Sequence, residues 1–222
     1  MLRLIQKGGA EAIGTFGMVF IGCGAAALSV QSPQLLSHAH VSLAFGLVAS
    51  SMIYAVGHLS GAHFNPVVSL AFVISKHFPA RQLLVYWVAQ FTGAILAIGL
   101  LSFLFPSGAS FGVTLPSIDL IRALVWEIVL TFFLVFVIIA VATDTRAEGT
   151  MAGAAIGATV TICSLVGGSF TGASMNPART LGPALFARQF ENIWIYFIGP
   201  AIGAALAAIV YRLIRCDSDE TS

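Results

Sequence analysis

Two similar stretches of the chain carry asparagine–proline pairs in apolar surroundings. The first reads SGAHFNPVVSL, from Ser60 to Leu70, and the second reads TGASMNPARTL, from Thr171 to Leu181. Asparagine is a strong helix N-cap and proline is tolerated at the first helical position, so each pair predicts the start of a helix. The side-chain amides of Asn65 and Asn176 can also donate hydrogen bonds to a passing oxygen atom. The chemistry that these residues predict is therefore hydrogen bonding to a neutral solute.

Only the second stretch carries a cation. Arg179 follows Asn176 by three residues, whereas Val68 stands at the equivalent place in the first stretch. The sequence around Arg179 offers no acidic partner, and a surface arginine is the alternative interpretation. We favour a cationic donor at an outer constriction, where it would hydrogen-bond neutral solutes and exclude cations. The asymmetry predicts that this constriction lies on one side only, the extracellular side.

The composition is that of an integral membrane protein. Hydrophobic residues make up 58% of the chain and charged residues 9%, whereas about a quarter of the residues in soluble domains are charged. A helical membrane span needs roughly 20 apolar residues. The alternating pattern of a barrel strand is absent, so helices are predicted. Stretches without any Asp, Glu, Lys or Arg cover residues 12–75, 82–118, 128–143, 149–178 and 192–211.

Turn and charge signals divide the chain into six long helices and two short ones. The short helices, about 66–75 and 177–187, begin at the Asn-Pro pairs and cannot cross a bilayer. The first apolar segment is too long for a cleavable signal peptide and is interpreted as the first span. The six predicted spans cover residues 8–30, 38–57, 82–104, 119–142, 150–168 and 191–214.

The two halves of the chain repeat each other. A shift of 111 residues carries Asn65 onto Asn176, and a shift of 116 carries Glu11 onto Glu127. Each half contains three spans and one half-span, so the second half must enter the membrane from the opposite side. We therefore predict one channel domain over residues 1–222, with inverted repeats of about 8–104 and 119–214. Inverted repeats with broken helices place a solute site near the bilayer midplane.

The segments before the two asparagines, residues 57–64 and 168–175, are rich in small residues and are predicted to be extended. Irregular backbone at membrane depth is tolerated where it lines a cavity. Two half-helices that enter from opposite faces would point both positive dipole ends at one place and repel cations and protons. The predicted central constriction consists of Asn65, Pro66, Val67, Asn176, Pro177 and Ala178.

Glu11 and Glu127 are the ionisable residues at equivalent places in the first and fourth spans. Intramembrane ionisable residues are functional candidates, and direct contact with solute is one interpretation. We favour a structural role in which each carboxyl group accepts hydrogen bonds from the backbone of a nearby extended loop. His58 and His63 flank the first loop, and we expect His58 to support its backbone.

Residues 8–214 resemble the aquaporin (major intrinsic protein) family. The resemblance rests on HFNP at 63–66, MNPAR at 175–179 and the paired glutamates. It implies the aquaporin fold, an all-α membrane protein of six transmembrane helices plus two re-entrant half-helices, and a homotetramer with one pore per subunit. The chain departs from the family pattern at Val67, where alanine is usual. We expect the donors and dipoles to survive this change and the packing of the half-helices to loosen or shift.

Alignment to the family assigns the outer selectivity filter to Phe45, Ser164, Ala173 and Arg179. Water-selective members resemble one another in having a histidine where this chain has Ser164. Small side chains at Ser164 and Ala173 would leave a wider aperture, so the chain resembles a prokaryotic member with a NIP-like wide filter. We expect passage of water and of small uncharged solutes such as glycerol, ammonia, hydrogen peroxide or metalloid hydroxides.

Other functions are less favoured. A secondary transporter of a small neutral solute shares the inverted-repeat architecture and remains the alternative. No nucleophile–base constellation suggests an enzyme, and Arg179 opposes a cation channel. Cys23, Cys163 and Cys216 have no ligand spacing, so we expect no metal or cofactor, and no basic cluster suggests nucleic acid.

Lysine and arginine positions predict the orientation in the lipid bilayer. Seven cations fall on one side of the six-span arrangement, whereas Arg122 and Arg188 fall on the other. The positive-inside rule makes the first side cytoplasmic, with both termini there, in the cell inner (plasma) membrane. The seven are Arg3, Lys7, Lys76, Arg81, Arg146, Arg212 and Arg215.

Overall fold

The computed structural model describes residues 4–105, 111–144, 146–147 and 149–215. Arg3 and Cys216, which entered the predictions above, lie outside these residues. Within the described ranges the chain forms eight α-helices, and short 3-10 turns precede the fourth and the sixth. The helices are α1 (Leu4–Gln31), α2 (His38–Ser60), α3 (Pro66–Ile74), α4 (Leu83–Leu104), α5 (Leu120–Thr143), α6 (Ala152–Thr171), α7 (Pro177–Ala187) and α8 (Ile195–Ile214).

Six of these helices are long and apolar enough to cross a membrane: α1, α2, α4, α5, α6 and α8. The other two, α3 and α7, have 9 and 11 residues, about half of what a span requires. Large apolar side chains such as Phe103 and Leu213 are exposed on the outside of the bundle, as in proteins that face lipid. The predicted fold of six spans and two half-helices is confirmed.

Four helix ends differ from their predicted positions by three or more residues. The first span begins at Leu4 rather than at residue 8. The second and fifth spans run on to Ser60 and Thr171, because the residues that end them are Gly61 and Gly172, in the left-handed conformation with φ of 93° and 80°. Glycine adopts that conformation without a Cβ clash, so it is the usual helix C-cap. The last span begins at 195 rather than 191, because Asn192 has a φ of 56° that no helix accommodates.

Helix packing follows the repeat. The pair α1 and α4 in the first half matches the pair α5 and α8 in the second, and α2 packs on α6 across the two halves. At the α2–α6 crossing a Cβ on Gly157 would lie 2.5 Å from the carbonyl oxygen of Gly46. Gly93 and Gly203 likewise lie against the backbones of α1 and α5. Small residues at these crossings allow backbones to approach closely, as is typical of membrane helices.

An ion cluster joins the end of α5 to the end of α8. Asp144 is 8% exposed and accepts hydrogen bonds from the backbone N–H and guanidinium of Arg146, the latter at 2.9 and 2.7 Å. Its second oxygen also accepts from the Tyr211 hydroxyl at 3.0 Å and lies 4.0 Å from Arg215. The hydrogen bonds from Arg146 hold the pKa of Asp144 well below its usual range.

We expect Asp144→Asn to lower the melting temperature of the detergent-solubilised protein at neutral pH. Because the folded pKa is depressed, the contribution of this carboxylate is complete above its unfolded pKa of about 3.9 and is lost as the pH falls through the folded pKa. The deficit of the variant should therefore shrink below about pH 4. Asp119→Asn is the matched control, since Asp119 forms an exposed pair with Arg122 and asparagine preserves its helix cap. A deficit independent of pH would contradict this assignment.

Candidate functional site

Both Asn-Pro pairs begin a half-helix. The Oδ1 of Asn65 accepts from the backbone N–H of Val67 at 3.1 Å. The Oδ1 of Asn176 accepts from the N–H groups of Ala178 and Arg179 at 2.9 and 3.3 Å. Val67 is 4% exposed and packs in the core, so its larger side chain leaves the cap intact. The helix starts that the sequence predicted are confirmed.

Each capping asparagine also holds the loop of the other half. The Nδ2 of Asn65 donates to the carbonyl oxygen of Met175 at 2.7 Å, and the Nδ2 of Asn176 donates to that of Phe64 at 3.0 Å. These reciprocal bonds bring the two half-helix starts together. An amide nitrogen carries two hydrogens, so each asparagine retains one donor for a further acceptor.

The two loops before the asparagines have the same unusual backbone. Left-handed φ angles occur at Ala62 and Phe64 (52° and 50°) and again at Ala173 and Met175 (40° and 52°). For residues other than glycine this conformation costs about 1–3 kcal/mol each and persists where surrounding contacts impose it. The glutamates of α1 and α5 supply those contacts.

Glu11 is fully buried and holds the first loop. Its Oε1 accepts from the Ser60 hydroxyl at 2.6 Å and from the His63 N–H at 2.9 Å, and its Oε2 accepts from the Phe64 N–H at 2.7 Å. The Ser60 hydroxyl in turn accepts from the N–H of Ala62 at 3.1 Å. Three successive loop amides are thereby satisfied without water.

Glu127 holds the second loop with the same geometry. It accepts from the Thr171 hydroxyl at 2.7 Å and from the N–H groups of Ser174 and Met175 at 2.9 and 2.8 Å. Like Glu11, it is fully buried and does not lie on the wall of the cavity described below. The carboxyl groups therefore contact loop backbone, the arrangement that a structural role requires.

The loop carbonyls face away from the glutamates. None of the described peptide bonds is cis, and in a planar trans peptide the C=O points opposite to the N–H of the next residue. Since the N–H groups of residues 62–64 and 173–175 point to the carboxyl side, the carbonyls of residues 61–63 and 172–174 point the other way. Those loop residues line a cavity, so the loops present rows of hydrogen-bond acceptors to it.

A cavity of about 400 Å³ runs past both loops. It contacts both capping asparagines, Asn65 and Asn176, and the four predicted filter residues. The remaining four predicted constriction residues lie in the buried first turns of the half-helices and off the cavity wall: Pro66, Val67, Pro177 and Ala178. Val68 does reach the wall. Helix periodicity explains this, because side chains one and two positions after the cap lie on other sides of the helix, whereas the residue three positions after it returns to the same face.

The four predicted filter residues come from four separate elements. Phe45 lies on α2, Ser164 on α6 and Ala173 in the second loop, and Arg179 is 6% exposed in the first turn of α7. The guanidinium carbon of Arg179 lies 5.0 Å from the centroid of the Phe45 ring, a cation–π geometry. The structure therefore brings the predicted filter residues onto one cavity wall.

The residues that precede α5, from 111 to 119, hold Arg179 in place, which the sequence did not predict. Arg179 Nη1 donates to the carbonyl oxygen of Gly112 at 2.5 Å. The Thr114 hydroxyl lies 3.0 Å from that of Thr180, and the Ser117 N–H donates to the carbonyl of Phe170 at 2.9 Å. No local pattern signals these contacts, since Gly112 and Arg179 are 67 residues apart.

A second unpredicted group surrounds Glu11. Gln90 of α4 donates from Nε2 to Glu11 Oε2 at 2.8 Å and to the Ser69 hydroxyl at 3.0 Å. His63 places its Nδ1 3.0 Å from the same hydroxyl and stacks on Phe72. The signal that could have revealed Gln90 is a polar residue inside an otherwise apolar span.

His58 and His63 occupy different surroundings. His58 is exposed on α2 and lines the cavity, and within the described part of the chain it makes no hydrogen bond to the loop. Its predicted role in supporting the loop stays a prediction. His63 is 8% exposed and contacts loop and half-helix together.

The fold and the site define a helical membrane channel, in which two re-entrant half-helices meet at a cavity lined with hydrogen-bonding groups. A family model described as major intrinsic protein matches residues 1–211, and the chain belongs to this family. Members of the family are channels and not enzymes. The chain is accordingly a multi-pass channel for water and small neutral solutes.

Individual relatives agree with this assignment. Aquaporin NIP2-1 of Oryza sativa subsp. japonica is 48% identical over 96% of this chain and 72% of its own length. Nodulin-26 of Glycine max is 44% identical over 95% of this chain and 78% of its own. The X-ray structure of the aquaglyceroporin from Plasmodium falciparum superposes with a TM-score of 0.83 at 26% identity, covering 96% of this chain and 98% of that one.

Proposed function

We propose that the channel is passive and that it selects solutes at two places along one cavity. The central place is formed by the cross-bonded amides of Asn65 and Asn176, and the outer place is the filter of Phe45, Ser164, Ala173 and Arg179. The observation that carries this proposal is that both asparagines keep a free donor beside a row of loop carbonyls. A neutral solute can exchange its water hydrogen bonds for these groups, while the helix dipoles and Arg179 oppose cations and protons.

The solutes that we propose are water together with glycerol, ammonia, hydrogen peroxide and metalloid hydroxides. Ser164 and Ala173 are small, and their presence at the filter supports a wide aperture. The relatives named as NIP aquaporins and the aquaglyceroporin structure support the same range. A secondary transporter is less favoured, because both intramembrane carboxyl groups are occupied by loop contacts and neither lies on the cavity wall.

We further propose the assembly and location implied by the family and by charge. Residues 1–222 form one channel domain, with inverted repeats of about 8–104 and 119–214. Four copies assemble with one pore in each, in the cell inner (plasma) membrane, with both termini cytoplasmic. The distribution of lysine and arginine supports this orientation.

Reconstitution tests the proposed solute range. Stopped-flow measurements on proteoliposomes should show permeability to water, glycerol and ammonia above that of protein-free vesicles, without saturation and without dependence on a proton gradient. Glycerol permeability at the lipid background would refute the wide filter. Flux that saturates or follows a proton gradient would favour the transporter.

We expect Ser164→His to reduce glycerol and urea permeability by about ten-fold or more while water permeability falls less. An imidazole is much larger than a hydroxymethyl group, and it would stand beside Arg179 in the same narrow section, so larger solutes lose access first. The measurement is the ratio of solute to water permeability in matched vesicles. An equal fall in all three permeabilities would indicate blockage and contradict a filter at this position.

A further inference from the structure

A chain of hydrogen bonds lies behind Ser164. Ser42 is fully buried on α2, and its Oγ donates to the carbonyl oxygen of His38 at 3.0 Å. The Oγ of Ser164 donates to the Oγ of Ser42, also at 3.0 Å, across 122 residues of sequence. The carbonyl of His38 can only accept, so the bond to it uses the single hydroxyl hydrogen of Ser42, and Ser42 Oγ accepts from Ser164. The direction of this series of hydrogen bonds is therefore determined.

His38 ties the same part of α6 to α2. Its Nε2 lies 3.1 Å from the carbonyl oxygen of Ser164 and 3.2 Å from that of Leu165. Both partners are acceptors, so Nε2 carries a hydrogen. Gly168 leaves room for the ring, since a Cβ at that position would overlap it. The backbone and the side chain of Ser164 are thus both held by α2.

We infer that Ser42 is a positioning residue for solute selection, because it takes the only hydroxyl hydrogen of Ser164. A hydroxyl group has one hydrogen and two lone pairs, so Ser164 is left as an acceptor on the cavity wall. Arg179 is a donor only, Phe45 and the methyl group of Ala173 offer apolar surface, and the carbonyl oxygen of Ala173 is a further acceptor. The inference rests on the proposed filter and deepens it.

This polarity defines a chemical class of solute. A molecule in the filter gains most when it offers an acceptor to Arg179 and a donor to Ser164. Small amides and polyols meet both requirements, and urea does so with one carbonyl oxygen and two amino groups. A water molecule can replace a lost partner with a neighbouring water, whereas urea displaces those waters.

Ser42→Ala tests the inference in proteoliposomes. Without Ser42 Oγ, the Ser164 hydroxyl can turn its hydrogen to the cavity, where it opposes the donor that a solute offers to Ser164. We expect the urea-to-water permeability ratio to fall about five-fold, in line with the loss of one neutral hydrogen bond. Ser42→Thr retains a hydroxyl at the same carbon and should restore most of the ratio.

Ser51→Ala is the matched control. Ser51 lies on the same helix and also donates to the carbonyl four residues back, from Leu47 at 2.9 Å, but it is exposed on the outside. We expect the urea-to-water permeability ratio of Ser51→Ala to equal that of the wild type. Ser164→Ala supplies the second background: if Ser42 acts through Ser164, adding Ser42→Ala to it should change the ratio no further.

Three results would overturn the inference. The first is an unchanged ratio in Ser42→Ala with normal yield, and the second is the same fall in the Ser164→Ala background. In both cases wild-type vesicles still pass urea, so the proposed wide filter survives. The third is a wild-type channel that passes water but no urea, a result that would refute both the proposed wide filter and the inference.

Discussion

We expect Glu127→Gln to lower the yield of folded channel substantially, and more than Glu11→Gln does. A glutamine offers one acceptor atom where the carboxyl group offered two, so in each variant one loop N–H loses its partner in a buried place. An unsatisfied buried donor costs about 1–3 kcal/mol. At Glu127 the Thr171 hydroxyl can accept from only one of the two new amide hydrogens, and no side-chain amide like that of Gln90 contacts Glu127 to accept from the other, which adds a cost of the same size.

The difference between the two sites arises from Gln90. Its Oε1 is buried without a partner among the described residues, and its Nε2 contacts Glu11. Rotation of this amide would turn an acceptor toward Gln at position 11 and relieve that variant. The equivalent residue in the second repeat, at a shift of 110, is Pro200, whose side chain offers no acceptor.

The measurement is the monodisperse yield and melting temperature of each variant in detergent. Gln90→Leu is the second substitution to test. It removes the amide that could accept a hydrogen bond from glutamine at position 11, but it leaves the loop contacts of Glu11 in place. We expect Glu11→Gln combined with Gln90→Leu to lose more than the sum of the two single changes. Normal yield of Glu127→Gln with an altered solute profile would contradict the structural role and favour direct solute contact.

We expect Arg179→Val to admit cations and protons while water permeability is kept. Valine stands at the equivalent place in the first repeat, as Val68, so the change makes the halves alike. For an ion about 5 Å from the guanidinium, Coulomb repulsion is about 1 kcal/mol with the screening of water and about 3 kcal/mol at an effective dielectric constant of about 20. Loss of that barrier corresponds to roughly 5- to 150-fold more cation leak.

Cation and proton flux into vesicles, followed with fluorescent indicators, would measure this effect. Arg122→Gln is the matched control, since Arg122 is 80% exposed at the start of α5, on the side predicted to be extracellular, and its loss also removes one positive charge. We expect no leak from it. The half-helix dipoles remain in Arg179→Val and still oppose both cations and protons. An unchanged leak of both would place the barrier entirely at the central asparagines.

The sequence by itself determined the membrane class, the spans, the two half-helices and the pairing of Glu11 with Glu127. These features depend on local or periodic properties: hydropathy over about 20 residues, the capping preference of asparagine and the proline that follows it. The repeat then related distant positions by a constant shift. The predicted helix ends were less accurate where two nearby glycines could each end the helix, as Gly57 and Gly61 could in the second span.

The tertiary structure alone decided which groups meet. It showed that Gly112 holds Arg179, that Gln90 serves only one of the two glutamates, and that Ser42 sets the direction of the Ser164 hydroxyl. Each is a hydrogen bond between helices or loops far apart in the chain, and hydrogen bonding depends on distances of a few tenths of an ångström. Residue types and spacing cannot specify such distances, because they result from how closely the helices pack.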